Sequence, residues 1–201
     1  MRRSWARVVP VAAAVMAALP LGLVAGAPAA SATSVQRPAA RPADLVLTPD
    51  FFTGSFRLHN VNAVGKCIGI DGSGLAGDWT CTTNADQTWH WGTDPILPNT
   101  NWDQLINGQS VNGQPVCLGV QGGSDAMGAR IVAWPCLGTG HPDQYWNLGQ
   151  SNFGGFNILN YQALFDPNTP ASLIGVAGGS TANGAPIILW SNDGTQNQFW
   201  S

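Results

Sequence analysis

The chain has 201 residues, of which only 9% are charged and 9% aromatic, with a formal net charge of −3. All eleven acids are aspartate, and the eight basic residues form no patch able to neutralise a row of phosphates, so nucleic acid and anionic membrane surfaces are excluded as partners. The polar surface must come from Asn, Gln, Ser, Thr and Gly, which suits a neutral polyhydroxylated ligand.

Arg2, Arg3 and Arg7 precede an apolar run from Val8 to Ala27, and "APAASA" (Ala27–Ala32) offers small residues for a signal peptidase. This is the layout of a secretory signal peptide over residues 1–32, and it predicts an extracellular protein. Pro10 and Pro20 interrupt the run, which argues against a membrane anchor, and no other candidate span follows. Residues 33–50 are rich in Pro, Ala and Arg without periodicity, and read as a flexible lead-in. The folded part is expected over residues 51–201 as one domain. Beyond Ala32, five basic residues stand against eleven aspartates, a net charge of −6.

The first expected strand is "FRLHN" (Phe56–Asn60), followed by a glycine-centred run "CIGI" (Cys67–Ile70) and a run ending in "GDWTC" at Trp79. A "QTW" (Gln87–Trp89) closes this set. The same order then returns as "DQLIN" (Asp103–Asn107), "CLGV" (Cys117–Val120), "IVAWPC" at Trp134 and "QYW" (Gln144–Trp146). It returns again as "FNILN" (Phe156–Asn160), "LIGV" (Leu173–Val176), "IILWSN" at Trp190 and "QFW" (Gln198–Trp200). Leu58, Leu105 and Ile158 occupy equivalent inward positions at strand period two. "AMGA" (Ala126–Ala129) and "ANGA" (Ala182–Ala185) mark turns between the second and third strands. Four strands taken three times, with no helical period, predict an all-β domain of twelve short strands and threefold pseudosymmetry. The copies span about 51–100, 101–150 and 151–201. Three copies are too few for a propeller, and a closed β-trefoil is the expected fold.

Four cysteines allow three pairings. Aligning the third copy on the second puts Leu173 opposite Cys117 and Asn192 opposite Cys136, so both cysteines are missing together, as partners would be. The expected disulfides are therefore Cys67–Cys81 and Cys117–Cys136. Zinc is the competing reading. No histidine stands at ligand spacing to these cysteines, and export favours disulfides, so neither a metal nor a cofactor is expected.

From Phe51 to Ser201 these features resemble the ricin B-type lectin domain, a β-trefoil with Q-x-W repeats. The resemblance implies up to three shallow sugar pockets. Each would hold an Asp as third residue of a C-x-D-x run, an aromatic two positions before the second cysteine, and an Asn before Q-x-W. A carboxylate makes strong hydrogen bonds to hydroxyls, and a ring supplies apolar area and orientation.

The aromatic position is filled by Trp79, Trp134 and Trp190. The position before Q-x-W holds Asp86, Asp143 and Asn197, and the Asp position falls on Gly69, Gly119 and Gly175. Asp71, two residues beyond Gly69, should face the same side of its strand. The expected carbohydrate-binding residues are Trp190, Asn197 and Gln198 in the third copy, Trp134 and Asp143 in the second, and Trp79 and Asp71 in the first. These three tryptophans are either stacking platforms or core fillers, whereas Trp89, Trp146 and Trp200 are expected in the core. His59, His90 and His141 match no common position and read as ordinary strand or surface residues. No catalytic motif appears. The resulting expectation is a non-enzymatic, monomeric carbohydrate-binding module, weak or atypical for want of the Asp. The alternative is a β-trefoil for protein interaction, a protease inhibitor or adhesion module, using 92–102 and 160–172 as contact loops.

Overall fold

The computed structural model describes residues 54–93, 100–162 and 172–201. The expected signal peptide and lead-in lie outside these residues, as do the central parts of the two proposed contact loops. Among the described residues ten strands are formed: β1 (Lys66–Ile70), β2 (Ala76–Thr80), β3 (Trp89–Trp91), β4 (Asp103–Val111), β5 (Gln114–Val120), β6 (Ile131–Pro135), β7 (Tyr145–Asn152), β8 (Gly155–Asn160), β9 (Ser172–Val176) and β10 (Ala185–Ser191). They pair antiparallel in the order β1-β2-β10-β9-β8-β7-β4-β5-β6, with β3 on β4.

The two remaining strand positions exist as isolated bridges. Phe56 pairs with Trp89, His59 with Cys67, and Asn60 with Trp200; Trp200 also pairs with Phe156. Residues 56–60 thus divide their backbone among three partners, which leaves no ladder long enough to count as a strand. With these segments included, the twelve-position, threefold pattern is that of a β-trefoil.

The Q-x-W tryptophans Trp89, Trp146 and Trp200 are fully buried in one core with Leu58, Leu105 and Ile158. A buried indole N–H needs an acceptor, and each finds the same one. Trp89 Nε1 donates to the Ile68 carbonyl at 3.1 Å, Trp146 to Leu118 at 2.8 Å, and Trp200 to Ile174 at 3.4 Å. Those carbonyls belong to the residue just before each strand glycine.

The glutamines act as clamps. Gln87, Gln144 and Gln198 donate to the carbonyls of Thr80, Pro135 and Ser191. Their Oε1 atoms accept from the backbone N–H of Thr82, Leu137 and Asp193. Each glutamine therefore holds the end of the Trp-bearing strand against the short 3-10 turn that precedes Q-x-W. The asparagines ending the first strands fasten the same turns from the next copy. Asn107 and Asn160 donate to the Asp86 and Asp143 carbonyls, and Asn60 closes the ring by donating to Asn197.

Cys67–Cys81 and Cys117–Cys136 are bridged as expected, with Cα–Cα separations of 5.1 and 4.9 Å. Each closes a short loop and contributes roughly 3 kcal/mol in the chain-entropy model.

One core position breaks the apolar rule. Asp78 is directly paired with Ile68 and Ala185 on the core-facing side of β2 and is 0% exposed. Neither carboxyl oxygen has a hydrogen-bond partner. Burial pushes its pKa up to about 7, against an opposing pull from the Lys66 charge. Among the described residues no helix is long and apolar enough to cross a membrane.

Candidate functional site

The three strand glycines are explained by the glutamine clamps. A Cβ on Gly69 would stand 2.8 Å from Gln87 Cγ, one on Gly119 3.1 Å from Gln144 Cγ, and one on Gly175 2.9 Å from Gln198 Cγ. No side chain fits there without displacing the clamp. The residue before Q-x-W reaches toward the same space from the opposite wall. An oxygen of Asp86 lies 3.3 Å from the Cβ point of Gly69, an oxygen of Asp143 3.3 Å from that of Gly119, and Asn197 Nδ2 3.5 Å from that of Gly175. The polar group of each copy is thus supplied by the 3-10 turn, not by the strand.

In the second copy this arrangement opens into a cleft of about 470 Å³. Trp134, 51% exposed, and the exposed Leu137 form its apolar side, with Asp143, His141 and Gln144 as polar lining. The far wall is the turn Gln121–Gly123, in which Gly122 and Gly123 have φ of 67° and 61°. These left-handed conformations favour glycine, and a Cβ on Gly123 would stand 3.9 Å from an oxygen of the buried Asp143. Burial raises the Asp143 carboxyl above its usual range, partly offset by its own backbone hydrogen bond, the charge of His141 and a backbone hydrogen bond at Val120.

The third copy repeats the cleft at about 520 Å³, with Trp190, 39% exposed, and Asn197 in the matching places. Gly178 and Gly179 repeat the left-handed turn at φ of 60° and 62°. Asn197 is held by its own copy, donating to the Val176 carbonyl at 2.9 Å and accepting from the Thr195 hydroxyl at 2.6 Å. Thr195 also bonds Asp193, and both line the cleft. Gln198 is fully buried and serves as the clamp, touching the strand end and not the cleft.

The first copy is different. Asp71 is folded into its own turn, accepting from the Ser73 N–H and hydroxyl and the Leu75 N–H. Desolvation would raise its pKa, but these hydrogen bonds and the nearby Arg130 charge hold it below the usual value. Trp79 is half-buried and lies flat across glycines from two copies. Its ring atoms are 3.1 Å from the Cβ point of Gly69, 2.7 Å from that of Gly77 and 2.7 Å from that of Gly184. The turn of the third copy presses on it, whereas the matching turn of the second copy only grazes Trp190, at 4.0 Å from Gly128. The structure therefore brings Trp134 with Asp143, and Trp190 with Asn197, but leaves Trp79 and Asp71 as packing and turn residues.

Sequence reasoning did not single out His141, Asp193, Thr195 or the Gly-Gly turns as cleft residues. The doublets Gly122–Gly123 and Gly178–Gly179, at one position in two copies, were the available signal.

Residues 104–190 match the family model described as a ricin-type β-trefoil lectin domain-like domain. Over those residues the chain is similar to that family. Among solved structures it is similar to the designed threefold-symmetric protein ThreeFoil, with a TM-score of 0.60, 20% identity, and coverage of 74% of this chain and 96% of that one. The Macrolepiota procera ricin B-like lectin in complex with lactose matches with a TM-score of 0.54 and 22% identity, covering 74% and 93%. The exo-β-1,3-galactanase 1,3Gal43A from Clostridium thermocellum matches with a TM-score of 0.59 and 22% identity, over 75% of this chain and 30% of that enzyme. No curated protein matches the chain in sequence.

Proposed function

We propose that this protein is an exported, non-catalytic carbohydrate-binding module that acts through the clefts of its second and third copies. The observation that carries the reading is the repeated pairing of an exposed tryptophan with a polar side chain from the 3-10 turn, Trp134 with Asp143 and Trp190 with Asn197. The ring supplies the apolar face on which a sugar stacks, and the carboxylate or amide orients its hydroxyls. The lactose complex of the Macrolepiota procera lectin supports a sugar as ligand class. Such shallow clefts fit weak single-site binding to a neutral glycan or polysaccharide. The two sites differ in character, because the second copy carries the carboxylate of Asp143 and the third the amide of Asn197.

A glycan array followed by isothermal titration of the best sugar tests this. Binding that falls stepwise in Trp134→Ala and Trp190→Ala is expected. Silence across the array, or binding indifferent to both substitutions, would overturn it in favour of a protein partner.

A further inference from the structure

His59 is the one residue at its repeat position that is not aliphatic. It bridges to Cys67 across the sheet, as Ile106 pairs with Cys117 and Leu159 with Leu173. An aliphatic side chain therefore satisfies the fold at this place in two copies out of three. The imidazole instead stands against the disulfide of its own copy, with Nδ1 3.4 Å from both Cys67 Sγ and Cys81 Sγ. The three ligand-type atoms lie within 4.8 Å of one another.

We propose that opening the Cys67–Cys81 bridge creates, with His59, a three-ligand site for a soft divalent metal of the zinc class. Cys67 is fully buried while Cys81 is half-buried, so an external thiolate reaches Cys81 Sγ. It forms a mixed disulfide there and expels Cys67 as a thiolate beside the imidazole. A second external thiol resolves the mixed disulfide, leaving two protein thiols and one external disulfide, a two-electron reduction balanced by two-electron oxidation of the thiol reagent. The metal then displaces both thiol protons. A tetrahedral zinc with ordinary Zn–S and Zn–N lengths requires an S···N edge of about 3.5 Å, close to the 3.4 Å already present. The sulfurs need to part to about 3.8 Å, a small side-chain movement at half-buried Cys81. Water or a small thiol completes the fourth position. The site thus offers a second way to fasten β1 to the segment after β2 when the covalent one is absent. Among the described residues the other bridge has no such partner, because Ile106 stands where His59 would be.

Cobalt titration of the full chain tests this, read by the thiolate-to-cobalt charge-transfer band after phosphine reduction under nitrogen. One cobalt per reduced chain is expected, with none in the oxidised chain. His59→Ile, which installs the residue of the second copy, is expected to weaken binding more than about tenfold. Cys117→Leu/Cys136→Asn, which installs the residues of the third copy, is expected to keep it. Absence of the band in the reduced parent, or an equal band in His59→Ile, would overturn the proposal. The comparison of parent with His59→Ile decides the matter even if the double variant does not fold. Sugar binding by the oxidised chain is independent of either result.

Discussion

An oxygen of Asp143 lies 3.3 Å from the point where a Cβ on Gly119 would stand. Asp143 lines the cleft and Gly119 lies behind it on β5, and the close approach is eased because Gly119 has no side chain. Gly119→Asp is expected to destabilise the fold by about 1–3 kcal/mol in urea denaturation, through crowding of the Gln144 clamp. It should also weaken sugar binding in the second copy. A variant as stable as the parent would show that the clamp leaves room after all.

The three repeat tryptophans should separate by assay. Trp134→Ala and Trp190→Ala remove partly exposed rings that line the clefts and are expected to change stability less than Trp79→Ala, by about 1 kcal/mol, while each abolishes binding in its own cleft. Trp79→Ala removes a ring wedged between Gly77 and Gly184, and is expected to cost about 2 kcal/mol with little effect on binding. Thermal denaturation and sugar titration of the three variants give the comparison.

Asp78 predicts an unusual pH dependence. Its folded-state pKa, raised by burial to about 7, exceeds the unfolded value of about 3.9. Between these values the folded chain binds more protons than the unfolded one, so stability falls as pH rises through the window. The contribution is fully present below the unfolded pKa and is lost as pH climbs through about 7. Asp78→Asn, which stays neutral, should flatten this slope in denaturation curves collected across the window. An unchanged slope would mean that another group carries it.

Asn160 links the copies through Asp143. It donates to the Asp143 carbonyl at 2.9 Å and accepts from the Gln162 N–H at 3.1 Å. Asn160→Ala leaves both groups unpaired and is expected to cost about 1–3 kcal/mol. In a Trp190→Ala background, where only the second cleft works, it should also reduce sugar affinity, because the turn presenting Asp143 loses its fastening. Titration of that pair of variants checks the coupling.

The core was legible because its rules act within one copy. A tryptophan at the third residue of Q-x-W must bury its ring and satisfy its N–H, and the three copies show the same solution at Trp89, Trp146 and Trp200. The disulfides were legible for a related reason, since Leu173 and Asn192 replace both members of a pair together. What escaped reading depends on contacts between copies or between strands distant in sequence. Nothing near Trp79 in the chain reveals that Gly184 will lie against it. Nor does "AGDWT" say that Asp78 faces inward, because the strand has two faces and an aspartate is expected on the outer one. The spacing of His59 from the cysteines gives no sign of contact, yet a strand bridge carries it to the sulfurs.

The first described segment and the last complete each other, for His59 and Ser201 exchange backbone hydrogen bonds of 2.8 and 2.9 Å while Asn60 holds the turn before Trp200. The ring therefore has no free-standing member. Until residues 198–201 take their place, the first copy has only the second as a neighbour, and the core lacks its third indole. Each copy looks like a unit in sequence, but closing the ring needs a pairing between residues far apart in the chain, a kind of contact that is slow to form.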